Sequence, residues 1–268
     1  VAGQFEGQVV IITGGGRGIG RATALEFAAE GATLVLCGRR MDALATAVRE
    51  CQDGGGEAEA LHCDVVIDEE LAALVNTTME HYGRIDVLVN NAGVVAGGRL
   101  DEIGPDDVAR MVGVNVWAPI RLAQLALPHM RAAGRGSIVN VSSLAGRMGM
   151  PYYATYCASQ FALRGFSEAL RREVSPDGIH VVGVFPGATA TDMMENVDFD
   201  RVGMSIATAE QVGRAIVRGV RWRQPEVFIG LGDSIVSRWN DLSPWAFDVG
   251  VGFVRDRVRG AVENQRTT

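Results

Sequence analysis

Gln8-Val9-Val10-Ile11-Ile12-Thr13-Gly14-Gly15-Gly16-Arg17-Gly18-Ile19-Gly20 decides the fold, together with the Arg21-Ala22-Thr23-Ala24-Leu25-Glu26-Phe27 that follows. The apolar residues run on without alternating, as in a strand buried on both faces of a parallel sheet. Glycines then let the backbone turn tightly and approach a bound pyrophosphate. The next segment has helical periodicity, and its first turn presents free N–H groups and the positive end of a dipole. Strand, glycine loop and helix in that order predict a dinucleotide-binding unit.

The same alternation continues outward. Further strands are expected at 33–37, 58–62, 87–89, 137–141, 180–185 and 226–229, after the first at 8–12. Helical segments fall between them at 20–30, 41–51, 69–81, 107–131, 155–173 and 209–220. Strict alternation predicts a doubly wound α/β fold: a seven-stranded parallel sheet with helices on both faces. Gly31, Gly83, Gly134 and Gly178 each follow a helical segment, where a left-handed cap is expected. No linker or repeat divides the chain, so 1–268 reads as one domain, with a core over 7–230 and a C-terminal helical extension over 231–268. That extension carries Trp239, Pro244, Trp245, Phe247 and Phe253. It reads as an amphipathic closing helix; a substrate lid, an oligomer contact and a peripheral membrane patch are the alternatives.

Composition narrows the function. With 47% hydrophobic and 21% charged residues, 268 residues can bury a sizeable core. A net charge of −7 without a basic stripe argues against a nucleic-acid surface. All 25 basic residues are arginine. The absence of lysine excludes Schiff-base, lysine-base and P-loop chemistry. Cys37, Cys51, Cys63 and Cys157 show no metal spacing and read as reduced thiols of a cytoplasmic protein. Neither a signal peptide nor a transmembrane helix is expected.

The glycine spacing G-x-x-x-G-x-G, opening with Thr13-Gly14, resembles that of the short-chain dehydrogenase/reductase family. Asn90-Asn91-Ala92-Gly93 after the fourth strand is similar to the family's N-N-A-G. Asn115 lies in a helical Val-Asn-Val stretch, where the family has its catalytic Asn. Tyr156 follows Ser143 by 13 positions, the family's Ser-to-Tyr spacing, which favours Ser143 over Ser142. Pro186-Gly187, with Thr189 and Thr191, resembles P-G-x-x-x-T. The match runs from about Gly7 to Ile229.

This resemblance implies a Rossmann-type domain and hydride exchange with a nicotinamide. Tyr156 would pass a proton to or from the substrate oxygen, Ser143 would hydrogen-bond that oxygen, and Asn115 would hold a water in a proton relay. The cofactor would rest on Gly14, Gly16, Arg17, Gly18, Ile19 and Gly20. Asp64 and Val65 would meet its adenine, and Asn91, Ala92 and Gly93 would form its floor. Its nicotinamide end would meet Pro186, Gly187, Thr189 and Thr191. An NAD-preferring site places an acidic residue after the second strand; here Cys37-Gly38-Arg39-Arg40 stands instead. Arg39, with Arg17, matches positions that hold a 2′-phosphate, so NADP(H) is expected. Homodimers or homotetramers are implied through the helices at 107–131 and 155–173.

One position departs from the family. Its Y-x-x-x-K reads here Tyr156-Cys157-Ala158-Ser159-Gln160. The family's lysine bonds the nicotinamide ribose and lowers the tyrosine pKa. A glutamine amide can do part of the first job but carries no charge for the second. Arg164, at i+4, is a poor stand-in, because family members that keep the lysine also have an arginine there. Three readings stay open: a reductase with a weakened proton donor, a cofactor-binding non-catalytic member, or a substitution introduced to trap a complex. Met193, Met194, Val197, Phe199, Val202 and Met204 fall in the stretch that covers substrate in the family. Met148, Met150, Tyr152 and Tyr153 are expected to face it. Such walls suit a hydrophobic alcohol or ketone.

Overall fold

A computed structural model of the chain describes residues 3–190 and 206–243, together with 245, 248, 249, 252 and 258–260. In chain order the strands are β1 (Val9–Thr13), β2 (Thr33–Gly38), β3 (Glu57–His62), β4 (Val87–Asn90), β5 (Gly136–Val141), β6 (Ile179–Phe185), β7 (Thr189–Ala190), β8 (Ala207–Thr208) and β9 (Glu226–Phe228). The helices are α1 (Gly18–Ala29), α2 (Met41–Asp53), α3 (Asp68–Tyr82), α4 (Pro105–Val112), α5 (Ala118–Ala133), α6 (Ala154–Val174), α7 (Ala209–Arg221) and α8 (Leu231–Leu242).

Seven strands form one parallel sheet in the order β3-β2-β1-β4-β5-β6-β9. β1 lies between β2 and β4 and is buried over its whole length, hence its unbroken Val-Val-Ile-Ile. Val10 and Ile12 pack with Phe27, Leu44 and Ile216, beneath α1, α2 and α7. Val9 and Ile11 face the other way, toward Leu71, Leu122, Met130 and Leu170 of α3, α5 and α6. Each fully buried aliphatic side chain contributes about 1.5–3 kcal/mol. α1 and α7 approach so closely that a Cβ on Gly213 would lie 2.9 Å from the Ala22 carbonyl carbon.

The expected Rossmann-type doubly wound sheet is observed, each of its strands ending within a residue of its expected bounds. Two features were not anticipated. The segment expected as one helix over 107–131 is broken by a π-helical turn at Gly113–Trp117, which contains Asn115. A second small sheet pairs β7 with β8. Gly31, Gly83, Gly134 and Gly178 have φ of +84°, +68°, +63° and +73°, as caps require.

α8 rests on the sheet's β9 edge. Val236 packs on Leu144, Met148, Phe185 and Phe228. Ile235, Trp239 and Leu242 face outward at 66%, 54% and 84% exposure. All four tryptophans reach solvent: Trp117, Trp222, Trp239 and Trp245 are 37%, 67%, 54% and 78% exposed. Among the described residues no helix is long and apolar enough to cross a membrane. Nor, among the described residues, is there a cluster of three His, Cys, Asp or Glu side chains that could hold a metal.

Candidate active site

In this sheet the strand order reverses between β1 and β4, and ligands of such folds bind beyond the carboxyl ends of the strands there. A cleft of about 470 Å³ opens at that point. From the β1–β3 side it is lined by Gly14, Gly16, Arg17, Gly18, Ile19, Arg39, Arg40, Asp64 and Val65. Asn91, Ala92 and Gly93 follow β4, and Ser143, Tyr156, Gln160, Pro186, Gly187 and Thr189 close the β5–β6 side. The structure thus brings most of the expected site residues onto one surface. Thr191, and the expected substrate-covering stretch at 192–205, lie outside the described residues.

The glycine loop is shaped by close contacts. Gly14 and Gly18 have φ of +64° and +51°, which other residues rarely adopt. A Cβ on Gly20 would stand 2.3 Å from the Gly14 carbonyl oxygen and 2.6 Å from Asn91 Nδ2. Gly20 therefore packs α1 under the loop and does not itself line the cleft. The first turn of α1 carries no acidic residue, and its N-cap, Arg17, makes no side-chain cap bond. Thr13 Oγ1 accepts from both Asn91 N and Ala92 N at 2.9 Å, while Asn91 Nδ2 donates to Thr13 O at 2.9 Å. These bonds tie the ends of β1 and β4 together. Arg39 is exposed at the rim, 3.9 Å from Asp64.

On the other side, Tyr156 projects from the first turns of α6, and Ser143 follows β5. Burial pushes the Tyr156 hydroxyl up to about 12, against a hydrogen bond from Ser143 that pulls it down. Among the described residues no cation contributes. Ser143 Oγ also accepts from Ala145 N at 3.1 Å, which fixes the serine. Ser142 differs: its hydroxyl donates to the Gln160 carbonyl at 3.3 Å and so ties the β5 end to α6. Gln160 is 4% exposed, and its Oε1 has no partner among the described residues. A buried amide oxygen without a partner costs about 1–3 kcal/mol unless a ligand supplies a donor.

Asn115 sits apart from the cleft lining. Its Nδ2 donates to Val94 O at 2.9 Å and to Ser159 Oγ at 3.0 Å, while its Oδ1 accepts from Val94 N at 2.9 Å. Both amide hydrogens are spent joining the β4 loop to α6, so the side chain acts as a clamp. Met148 likewise turns inward, to Leu144 and Phe185, because α8 covers it; Met150 and Tyr153 do line the cleft.

Several supporting residues escaped the sequence reading. Asn140 faces Asn90 across β4 and β5, accepts from its Nδ2 at 2.8 Å, and donates to Ser167 Oγ at 2.8 Å. This buried chain fixes α6 to the sheet. A polar residue inside the apolar run Ile138-Val139-Asn140-Val141 was its one visible signal. Arg147 is also buried. Its guanidinium lies 5.4 Å and 5.6 Å from the Phe185 and Phe228 ring centres and bonds Ser237 and Glu226 at 2.8 Å.

Comparison with known proteins agrees with this geometry. The family profile described as short chain dehydrogenase matches residues 8–201. The chain is 36% identical over 242 residues to the oxidoreductase SadH of Mycobacterium tuberculosis, covering 85% of this chain and 87% of that one. It is 35% identical over 201 residues to a 3beta-hydroxysteroid dehydrogenase of Mediterraneibacter gnavus, covering 75% and 72%. A short-chain dehydrogenase/reductase from Burkholderia phymatum, solved with NAD, superposes with a TM-score of 0.83 at 27% identity, over 90% of this chain and 95% of that one. A metagenomic short-chain oxidoreductase solved with NADP gives 0.70 at 33% identity, over 80% and 90%. The chain belongs to the short-chain dehydrogenase/reductase family of oxidoreductases.

Proposed function

We propose that this protein is an NADP(H)-dependent oxidoreductase that interconverts a carbonyl and an alcohol on a hydrophobic substrate. One observation carries the reading: a single cleft has arginines at the β2 end and the Ser143–Tyr156 hydroxyl pair beside β5. The cleft fits a dinucleotide. The glycine loop packs closely on Asn91, Ala43 and Leu44 because no Cβ stands at Gly14, Gly16 or Gly20, and it leads into the first turn of α1, whose N–H groups suit a pyrophosphate; the orphaned Gln160 Oε1 would accept from a ribose hydroxyl. Asp64 and Val65 line the adenine end, while Pro186, Gly187 and Thr189 form the nicotinamide end. Residues 7–230 would form the catalytic core and 231–268 its extension.

When bound, the nicotinamide supplies or accepts the hydride. Ser143 orients the substrate oxygen and stabilises charge growing on it. Tyr156 holds its proton throughout the neutral range, because burial raises it and no lysine lowers it. It is therefore ready to give that proton to a reduced carbonyl oxygen, so reduction is the favoured direction. Asn115 keeps α6 and the β4 loop in register, which holds Tyr156 in place.

Arg17 and Arg39 line the cleft where a ribose 2′-phosphate would lie, and among the described residues the only acidic one lining it is Asp64. The test is kcat/KM with NADPH and NADH on a panel of apolar ketones; a preference for NADH overturns the cofactor assignment. A specific observation favours a second reading, a non-catalytic cofactor-binding member: Gln160 lacks the charge that tunes the tyrosine. Calorimetric binding of NADPH without turnover of any ketone, aldehyde or acyl thioester would establish it. Exposed Val112, Trp117 and Phe161 near α4–α6 support a homo-oligomer, which sedimentation would show.

A further inference from the structure

Beyond α8, the described tail residues Trp245, Asp248, Val249, Gly252 and Arg259 are exposed. Val258 is the exception, at 3% exposure. It packs with Ala145, Tyr153 and Cys157, and Met150 and Tyr156 pack against the same cluster. It also lines the cleft, whose other described lining residues all lie between Gly14 and Thr189. The tail therefore returns one apolar side chain to the wall beside the hydroxyl pair, far in sequence from the rest of the site.

We infer that Val258 is a specificity-determining residue: it sets how far the apolar body of a substrate can extend beyond the carbonyl held at Tyr156. This inference rests on the oxidoreductase reading of the cleft. The described residues packed around Val258 (Ala145, Met150, Tyr153 and Cys157) are apolar or phenolic, so this wall suits the hydrophobic body of a ketone or alcohol and discriminates by size. The backbone brackets the same region. Tyr152 has φ of +66°, an uncommon value for a bulky residue, and its carbonyl accepts from Gly98 N at 2.7 Å. The loop carrying Met150 and Tyr153 is thus pinned, and size is left to the residue facing it.

The experiment compares wild type, Val258→Ala and Val258→Phe. Calorimetry measures binding of cyclohexanone, 2-decalone and a steroid ketone in the presence of NADP+, which forms no product with a ketone. The alanine variant is expected to bind the two larger ketones about tenfold more tightly, and the phenylalanine variant about tenfold more weakly. Cyclohexanone needs less room and should change far less, and direct NADPH binding is the control. If the larger ketones bind all three proteins alike, or shift in parallel with cyclohexanone, or no ketone binds at all, Val258 does not set the size limit. Should the phenylalanine variant fail to fold, the alanine variant decides alone. Failure of the oxidoreductase reading looks different: the ketones bind, yet wild type reduces none of them with NADPH or NADH.

Discussion

At position 160 a single amide replaces a charge, and the consequence is a pH dependence. Tyr156 stands at about 12, so below that value the tyrosinate fraction rises tenfold per pH unit. Alcohol oxidation, which needs the tyrosinate as base, should therefore climb with unit slope between pH 7 and about 10. Carbonyl reduction, which needs the phenol, should stay level over the same range. In Gln160→Lys the ammonium would stabilise the tyrosinate and move the oxidation profile to lower pH; kcat measured against pH for both proteins checks this. Tyr156→Phe should lower turnover about 10²–10⁴-fold while calorimetry finds NADPH affinity unchanged. At the other end, Arg39→Ala should weaken NADPH binding about 10–100-fold and leave NADH alone. Equal losses for both cofactors would mean that Arg39 does not face a 2′-phosphate.

Elements matter here because the reacting groups sit on different ones. Tyr156 and Gln160 ride on α6, whereas Ser143 follows β5. Gly146 is where they meet: a Cβ there would lie 2.6 Å from Ser142 Oγ and 2.8 Å from the Gln160 carbonyl oxygen. Gly146→Ala should push Ser143 away from Tyr156 and cost up to about 10²-fold in kcat, with a much smaller effect on NADPH affinity in the same protein. Asn140→Ala would leave Asn90 Nδ2 without its acceptor and strip Ser167 Oγ, which still donates to Leu163 O, of its donor, at a cost of about 1–3 kcal/mol in denaturant unfolding. The strands were legible because burial on both faces leaves unbroken Val/Ile/Leu runs. The π turn was not, since the apolar spacing of 107–131 continues through Asn115 without interruption. β7 and β8, at two residues each, are too short for any pattern to register.

Across the whole molecule, the sequence placed the cleft but not what closes around it. Ordered motifs at successive strand ends mark one surface, because a parallel sheet delivers every carboxyl end to the same side. Nothing local to Arg147 or Val258 says which distant element each will meet. Arg147 joins the β5 loop, β9 and α8 through Glu226, Ser237 and two aromatic rings. Arg147→Ala should cost about 3 kcal/mol and release α8 first, so limited proteolysis would cut beyond Gly230 before the core. Cleavage elsewhere first would show that α8 is held by other means.

The placement of the four tryptophans has a spectroscopic consequence. Each indole already touches water in the single folded chain, and Trp222, Trp239 and Trp245 lie away from the proposed oligomer face, so most of the emission is that of solvated rings before any denaturant is added. Unfolding of this chain will barely move the fluorescence maximum, and a transition followed by emission wavelength alone would make a cooperative fold look like one that never melts. Circular dichroism of its helices will report the transition that the tryptophans hide.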